Sequence, residues 1–99
     1  MVSTEDYKVI ATYYGEQMQP LLAIEEMSEL TKELIKEQRG ENNRGRILEE
    51  IAHVKIMMVQ LQLIYDPQND YIERLINNKI YKALDDVHER KHPNEHRTT

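Results

Sequence analysis

The sequence predicts an all-α fold, a four-helix bundle whose core is completed when copies of the chain associate. Only three Gly and three Pro occur among 99 residues, which is too few for the tight turns of an all-β fold. Apolar residues recur at helical spacing in four segments, and short polar breaks separate these segments. A chain of this length is expected to form one domain, over residues 1–90. Because Phe and Trp are absent, its core must consist of Leu, Ile, Val, Met and Tyr.

Start and stop signals delimit the four helices. Ser3, followed three residues later by an aspartate, is a candidate N-cap for the first helix, and Gly15 is a stop signal. Pro20 suits the first turn of the second helix. A polar loop after Gly40 and a break at Pro67 separate the remaining helices. The helices are therefore expected at residues 4–14, 20–38, 46–65 and 71–89.

The C-terminal segment and the overall composition narrow the possible functions. Residues 91–99 contain Pro93 and no apolar residue, so they are expected to be disordered. The net charge of −5, with no basic stripe, disfavours a nucleic acid polymer as partner. The absence of cysteine excludes disulfides and thiolate zinc sites. Since no apolar run has the length of a membrane span and no signal peptide is evident, we expect no membrane partner and a cytoplasmic location.

The third helix is apolar over most of its circumference, which indicates a central helix buried on several sides. Its apolar residues are Ile47, Leu48, Ile51, Ala52, Val54, Ile56, Met58, Val59, Leu61 and Leu63. One sector carries Glu49, Glu50, His53 and Gln60 instead, and buried charge requires a partner or a metal. Three short helices cannot cover so much apolar surface, so we expect a homo-oligomer, either a dimer or a tetramer.

Two acidic steps on neighbouring helices point to a divalent cation site. Glu26 and Glu29 are three residues apart on the second helix, and Glu50 and His53 are three apart on the third. Residues three apart share one face of a helix, so two antiparallel helices would bring these four side chains to one spot. Carboxylates that converge inside a helical bundle are typical ligands of a divalent cation.

Each step also has a purely structural interpretation. Glutamates on the second helix are typical of a solvated face that pairs with Lys. A rival explanation of the acidic sector of the third helix is a buried ion pair across the interface, with Arg44, Arg46 or Lys79 as the partner. His53 taken alone is typical of a core histidine with a satisfied hydrogen bond.

Residues outside the acidic steps suggest nucleotide contacts. Tyr14 and Gln17, with the neighbouring Tyr13 and Gln19, precede the acidic step; tyrosine rings stack on bases and glutamine amides read base edges. Core and loop positions are the alternative for all four. Lys79 is a candidate phosphate ligand or a lysine that extends from the border of the core. No P-loop, dinucleotide-binding Gly motif or nucleophile arrangement is present, so any catalysis must rely on metal and water.

Together, the two steps resemble the signature of a known family. Glu25-Glu26-x-x-Glu29, twenty residues, and then Glu50-x-x-His53 is similar to the E-E-x-x-E … E-x-x-D signature of the MazG-like all-α NTP pyrophosphohydrolases. The likeness covers the helical body of the chain. It implies a four-helix MazG-like bundle, hydrolysis of a nucleoside triphosphate to the monophosphate and pyrophosphate, a Mg²⁺ cofactor, and assembly as dimers or tetramers.

The resemblance also implies a set of site residues. Glu26, Glu29 and Glu50 correspond to metal ligands, and Glu25 is a neighbouring member of the catalytic group. The last helix often carries Lys, Arg or Asn near the phosphates in this family, and a looser match there is formed by Asn78, Lys79 and Lys82.

The sequence departs from the family at the final ligand, where His53 replaces an aspartate. Imidazole suits Mn²⁺, Zn²⁺ or Ni²⁺, whereas Mg²⁺ prefers oxygen donors, so the expected cofactor is Mg²⁺ or Mn²⁺. The expected function is a metal-dependent NTP pyrophosphohydrolase. The alternative is a catalytically impaired homologue that acts as a nucleotide- or metal-binding helical module.

Overall fold

The computed structural model describes residues 1–91, and this part of the chain is helical without a β-strand, which confirms the all-α prediction. The helices are α1 (Thr4–Tyr14), α2 (Met18–Gln38), α3 (Arg44–Tyr65) and α4 (Tyr71–Lys91). Both α2 and α3 begin two residues earlier than predicted, and α4 ends two residues later. Pro20 still lies in the first turn of α2, where a backbone N–H has no intrahelical acceptor to lose. The tail predicted to be disordered begins at Lys91, the last residue of α4, and its remaining residues, 92–99, lie outside the described residues.

Local sequence determines both ends of α1. The Asp6 backbone N–H donates to Oγ of Ser3 at 3.4 Å, and the Ser3 backbone N–H donates to the Asp6 carboxylate at 2.8 Å, so the predicted N-cap is confirmed as a capping box. Gly15 follows the helix with φ +82°, a conformation that L side chains rarely adopt. Its N–H donates to the carbonyl of Ala11 at 2.8 Å, and the chain then turns into α2.

Helices α2 and α3 form an antiparallel hairpin, and α1 contacts both of them. Gly40, with φ +96°, turns the chain after α2. The side-chain amide of Asn43 then donates to the Glu33 main-chain carbonyl at 2.8 Å and to Oε1 of the Glu33 carboxylate at 2.9 Å. These two hydrogen bonds connect the start of α3 to the last turns of α2. They thereby set the register, that is, which residues of α2 lie opposite which residues of α3.

The chain divides into two compact units, Met1–Pro67 with α1 to α3, and Gln68–Thr99 with α4. No residue of α4 is buried. The buried residues of the first unit are half apolar and half polar: Ala23, Ile47 and Met57, with Gln19, Glu33 and Gln60. Many large apolar side chains remain exposed, on α3 among them Leu48, Ile51, Ile56 and Met58. Association of copies, which would cover such surface, stays a prediction.

None of the helices in residues 1–91 combines the length and the hydropathy that a bilayer span requires.

Candidate metal centre

One cluster of titratable side chains joins α2 to α3. Nδ1 of His53 lies 3.0 Å from Oε2 of Glu26 on the opposite helix, and 3.4 Å from Oε2 of Glu50 on its own helix. One ligand atom from each of the three residues lies within 4.8 Å of the others. Two carboxylates and an imidazole in this arrangement form a donor set that could hold a metal ion.

The hairpin explains how these residues meet. Glu50 and His53 are one turn apart, so both lie on the face of α3 that is turned toward Glu26 of α2. The register that produces this meeting is the one set by the Asn43–Glu33 hydrogen bonds at the closed end of the hairpin. Glu26 of the first acidic step therefore meets both residues of the second step across an antiparallel helix pair.

The cluster lies at the border between the interior and the solvent. The side chains of Glu50, Glu26 and His53 are 17%, 28% and 50% exposed. A cation bound here would contact protein ligands on its buried side. Its remaining coordination positions would face solvent, where water or a substrate oxygen can bind.

Among residues 1–91, His53 is the cationic group that pairs with the two carboxylates of the cluster. Burial, and contact with the Glu50 carboxyl, raise the pKa of Glu26 above its ordinary value, while the charge of His53 opposes this rise. The hydrogen bond with Glu50 raises the pKa of His53, with help from Glu26 and against the effect of burial. Within residues 1–91, no Lys or Arg forms an ion pair with Glu26 or Glu50, so the alternative of an Arg or Lys partner is not seen at this cluster.

The other two residues of the first acidic step lie apart from the cluster. Oε1 of Glu29 pairs with Nζ of Lys32 at 3.4 Å, and Glu29 is not one of the three clustered ligands. Glu25 is exposed on α2. The structure therefore brings together three of the four predicted ligands, and the roles of Glu25 and Glu29 stay predictions.

The predicted nucleotide contacts lie on exposed positions. The phosphate candidates belong to α4, in the second unit: Asn78, Lys79 and Lys82. The base candidates Tyr14 and Gln17 flank the turn between α1 and α2, and both are exposed. The Tyr14 ring contacts that of Tyr13 edge to face, with centroids 5.0 Å apart. Contact of any of these residues with a nucleotide stays a prediction.

Glu33 is a buried carboxylate that the sequence analysis did not select as a site residue. Its exposed fraction is only 4%. Its carboxylate accepts from Nδ2 of Asn43 at 2.9 Å and from Nζ of Lys36 at 3.3 Å. The Asn43 hydrogen bond, together with the charges of Lys36 and Arg46, lowers the pKa of Glu33 against the effect of burial. The charge of Glu33 is thus compensated by Lys36 and Arg46, whereas the carboxylates of the cluster pair with a histidine.

The sequence analysis also did not identify two buried glutamines as a functional pair. Gln19 is 1% exposed and Gln60 is 0% exposed. Gln19 lies seven residues before Glu26, and Gln60 lies seven residues after His53. This spacing places each glutamine two turns away from the cluster on the same helix face, and it is the sequence signal that could have found them.

Comparison of the chain with models of protein families, with curated proteins and with solved structures gives no match. The MazG-like assignment therefore depends on the two acidic steps alone and stays a prediction. Independently of that resemblance, the geometry gives a set of three possible metal ligands on one face of a helical hairpin, partly open to solvent.

Proposed function

We propose that this chain is a metal-dependent nucleoside triphosphate pyrophosphohydrolase of the MazG-like type, with Mg²⁺ or Mn²⁺ as cofactor. The observation that supports this proposal is the convergence of Glu26, Glu50 and His53 from two helices, with ligand atoms within 4.8 Å of one another. The set fits a divalent cation because it offers carboxylate oxygen and imidazole nitrogen. It also fits because no cationic Lys or Arg among residues 1–91 already neutralises the two carboxylates.

The overall reaction consumes one water and yields a nucleoside monophosphate and pyrophosphate. A divalent cation held by Glu26, Glu50 and His53 would neutralise charge on the triphosphate and would lower the pKa of a water. The water oxygen forms a bond to the α-phosphorus, and the bond from that phosphorus to the α,β-bridging oxygen breaks. Glu29, one turn from Glu26 and outside the clustered ligands, is the carboxylate that we assign to accept the water proton. Glu25 is proposed as its neighbour in the catalytic group.

Two further parts of the proposal have narrower support. Asn78, Lys79 and Lys82 are proposed phosphate contacts on the basis of the family resemblance alone. Assembly into a dimer or tetramer is supported by the exposed apolar side chains, which include Ile76, Ile80 and Val87 on α4. Apolar patches of this kind on a small protein are typical of association surfaces.

Turnover is the direct test. The full chain is incubated with a panel of NTPs and dNTPs and with Mg²⁺ or Mn²⁺, and pyrophosphate release is measured. Glu26→Gln should reduce release to background, because a neutral amide of the same shape does not replace an anionic ligand. Glu37→Gln, at an exposed position of the same helix, is the matched control and should retain release. No release by wild type above the Glu26→Gln background would reject the proposal.

A second candidate function is a nucleotide- or metal-binding module without turnover. Two observations favour it: an imidazole stands in the donor set, and Glu29 is paired with Lys32 away from the cluster. This candidate predicts that calorimetry detects metal or nucleotide binding while no pyrophosphate accumulates. Sustained pyrophosphate production in the assay above would exclude it.

A further inference from the structure

The metal cluster is the middle layer of a longer row of polar residues on the α2–α3 hairpin. Each layer pairs one residue of α2 with one of α3, and the layers are seven residues apart on both helices. The layers are Gln19 with Gln60, Glu26 with His53, and Glu33 with Arg46. We call this row the polar seam.

Two layers establish the register of the polar seam. Glu26 lies 3.0 Å from His53, and Glu33 and Arg46 line the same pocket. In an antiparallel pair, seven residues back along one helix correspond to seven residues forward along the other. The same register therefore places Gln19 level with Gln60, at the end of the hairpin remote from the Asn43–Glu33 hydrogen bonds.

The glutamine layer differs from the other two because its polar atoms have no partner. In residues 1–91, neither amide nitrogen nor amide oxygen of Gln19 or Gln60 has a hydrogen-bond partner, although both side chains are almost fully buried. Leaving buried donors and acceptors unpaired costs free energy, and native proteins rarely retain such groups without a use. Two amides at one level present two donor groups and two acceptors to whatever binds between them.

Helix α1 lies next to this layer along the chain. It contacts both α2 and α3, and only residues 15–17 separate it from α2, so it lies at the same end of the hairpin as Gln19. It is also the one remaining helix of the unit Met1–Pro67. Since α1 contributes no buried residue, little packing holds it in place. Gly15, with φ +82°, lies in the turn that connects α1 to α2.

We propose that the Gln19–Gln60 layer binds the base of the nucleotide whose phosphates bind at the metal cluster. The inference rests on the proposed function. Seven helical residues separate the two layers by about 10.5 Å along the axis, a span that a nucleoside triphosphate covers between its phosphates and its base. A glutamine amide offers one donor and one acceptor side by side, which matches the paired donor and acceptor on the edge of a base. Base reading is thereby assigned to Gln19 and Gln60 rather than to the exposed Gln17.

The experiment separates base binding from phosphate binding. Calorimetry with Mn²⁺ present compares inorganic tripolyphosphate, which has no base, with the four α,β-methylene nucleoside triphosphates, which cannot release pyrophosphate. Wild type should bind at least one nucleotide about tenfold more tightly than tripolyphosphate. Gln19→Met and Gln60→Met keep the side-chain shape and remove the amide, so they should abolish this preference while tripolyphosphate affinity stays unchanged. Gln38→Met, at the exposed end of α2, is the matched control and should keep the preference.

The outcomes distinguish this inference from the function on which it rests. Equal affinity of wild type for tripolyphosphate and all four nucleotides overturns base binding at this layer but leaves the metal site standing. A preference that survives in both Met variants has the same meaning. Binding of neither tripolyphosphate nor nucleotide overturns both proposals. Should one Met variant lose its cooperative thermal transition, the other Met variant decides.

Discussion

Nδ1 of His53 lies 3.0 Å from Oε2 of Glu26, and this contact joins the two helices that carry the acidic steps. Because Glu50 approaches the same nitrogen at 3.4 Å, the imidazole lies between two carboxylates from different helices. Without a cation, the imidazolium form of His53 is the positive charge that the cluster contains. A bound cation would take over that role, so protonation of His53 and metal binding should compete.

The first prediction compares how much each acidic residue of α2 contributes to the metal affinity of the protein. Glu26→Gln should weaken Mn²⁺ binding by more than about 100-fold, since it removes a ligand, whereas removing a supporting group costs about 10–100-fold. Glu29→Gln should weaken binding much less, because the Glu29 carboxylate pairs with Lys32 instead of joining the cluster. Calorimetric titration with Mn²⁺ measures both, with Glu37→Gln as the control. If Glu29→Gln lost as much affinity as Glu26→Gln, the three-ligand set would be incomplete.

The second prediction concerns metal preference. His53→Asp should raise Mg²⁺ affinity relative to Mn²⁺ affinity, because a hard anionic oxygen replaces a neutral nitrogen. Any Mg²⁺-supported turnover should rise with it. The comparison requires Mg²⁺ and Mn²⁺ titrations of both proteins, together with thermal unfolding of the metal-free forms. A less stable His53→Asp protein with unchanged metal affinities would show that His53 has a packing role only.

The third prediction concerns pH. The pKa of His53 is raised above its ordinary 6.5 in the folded state, so its stabilising contribution is complete below pH 6.5 and is lost as pH rises through the raised value. The raised pKa of Glu26 also makes the free energy of unfolding fall as pH rises, but at lower pH. The free energy of unfolding of the metal-free protein should therefore fall as pH rises from 6.5 through the raised pKa of His53, while Mn²⁺ affinity rises. Urea unfolding in EDTA at several pH values measures the first trend, and His53→Gln should flatten it. An equally steep fall in His53→Gln would assign it to other groups.

The fourth prediction concerns the closed end of the hairpin. Asn43→Ala removes the donor to the main-chain carbonyl and to the carboxylate of Glu33, and it leaves that buried carboxylate with fewer partners. The thermal midpoint should fall by several degrees, and Mn²⁺ affinity should fall too, because the register that brings Glu26 to His53 loosens. Asn42→Ala, at the exposed neighbouring position, is the control. Unchanged stability of Asn43→Ala would show that the hairpin register has another source.

The fifth prediction concerns assembly. The chain should sediment as a dimer or larger species, because large apolar side chains on α2, α3 and α4 remain exposed in a single copy. Sedimentation velocity over a range of concentrations, with circular dichroism at each, measures size and helicity together. A monomer at micromolar concentration that retains full helicity would contradict this prediction.

Local signals in the sequence were sufficient for the helices. The Ser3 capping box, the break at Gly15 and the polar loop after Gly40 act over three or four neighbouring residues, and the structure has helix ends at each of them. The remaining errors are two residues at three helix ends. Helix termini fray, and their assignment depends on contacts outside the helix, so such small differences are expected.

The sequence by itself determined the all-α class, the two acidic steps and the pairing of Glu50 with His53, because residues three apart on a helix necessarily share a face. Only the tertiary structure decided which carboxylate of α2 meets that pair. The rotation and register of α2 against α3 turn Glu26 toward His53 and leave Glu29 to its neighbour Lys32. Burial of Gln19 and Gln60 was likewise decided by packing of three helices against one another. Contacts between helices depend on how whole elements are oriented, and no spacing within one helix specifies that orientation.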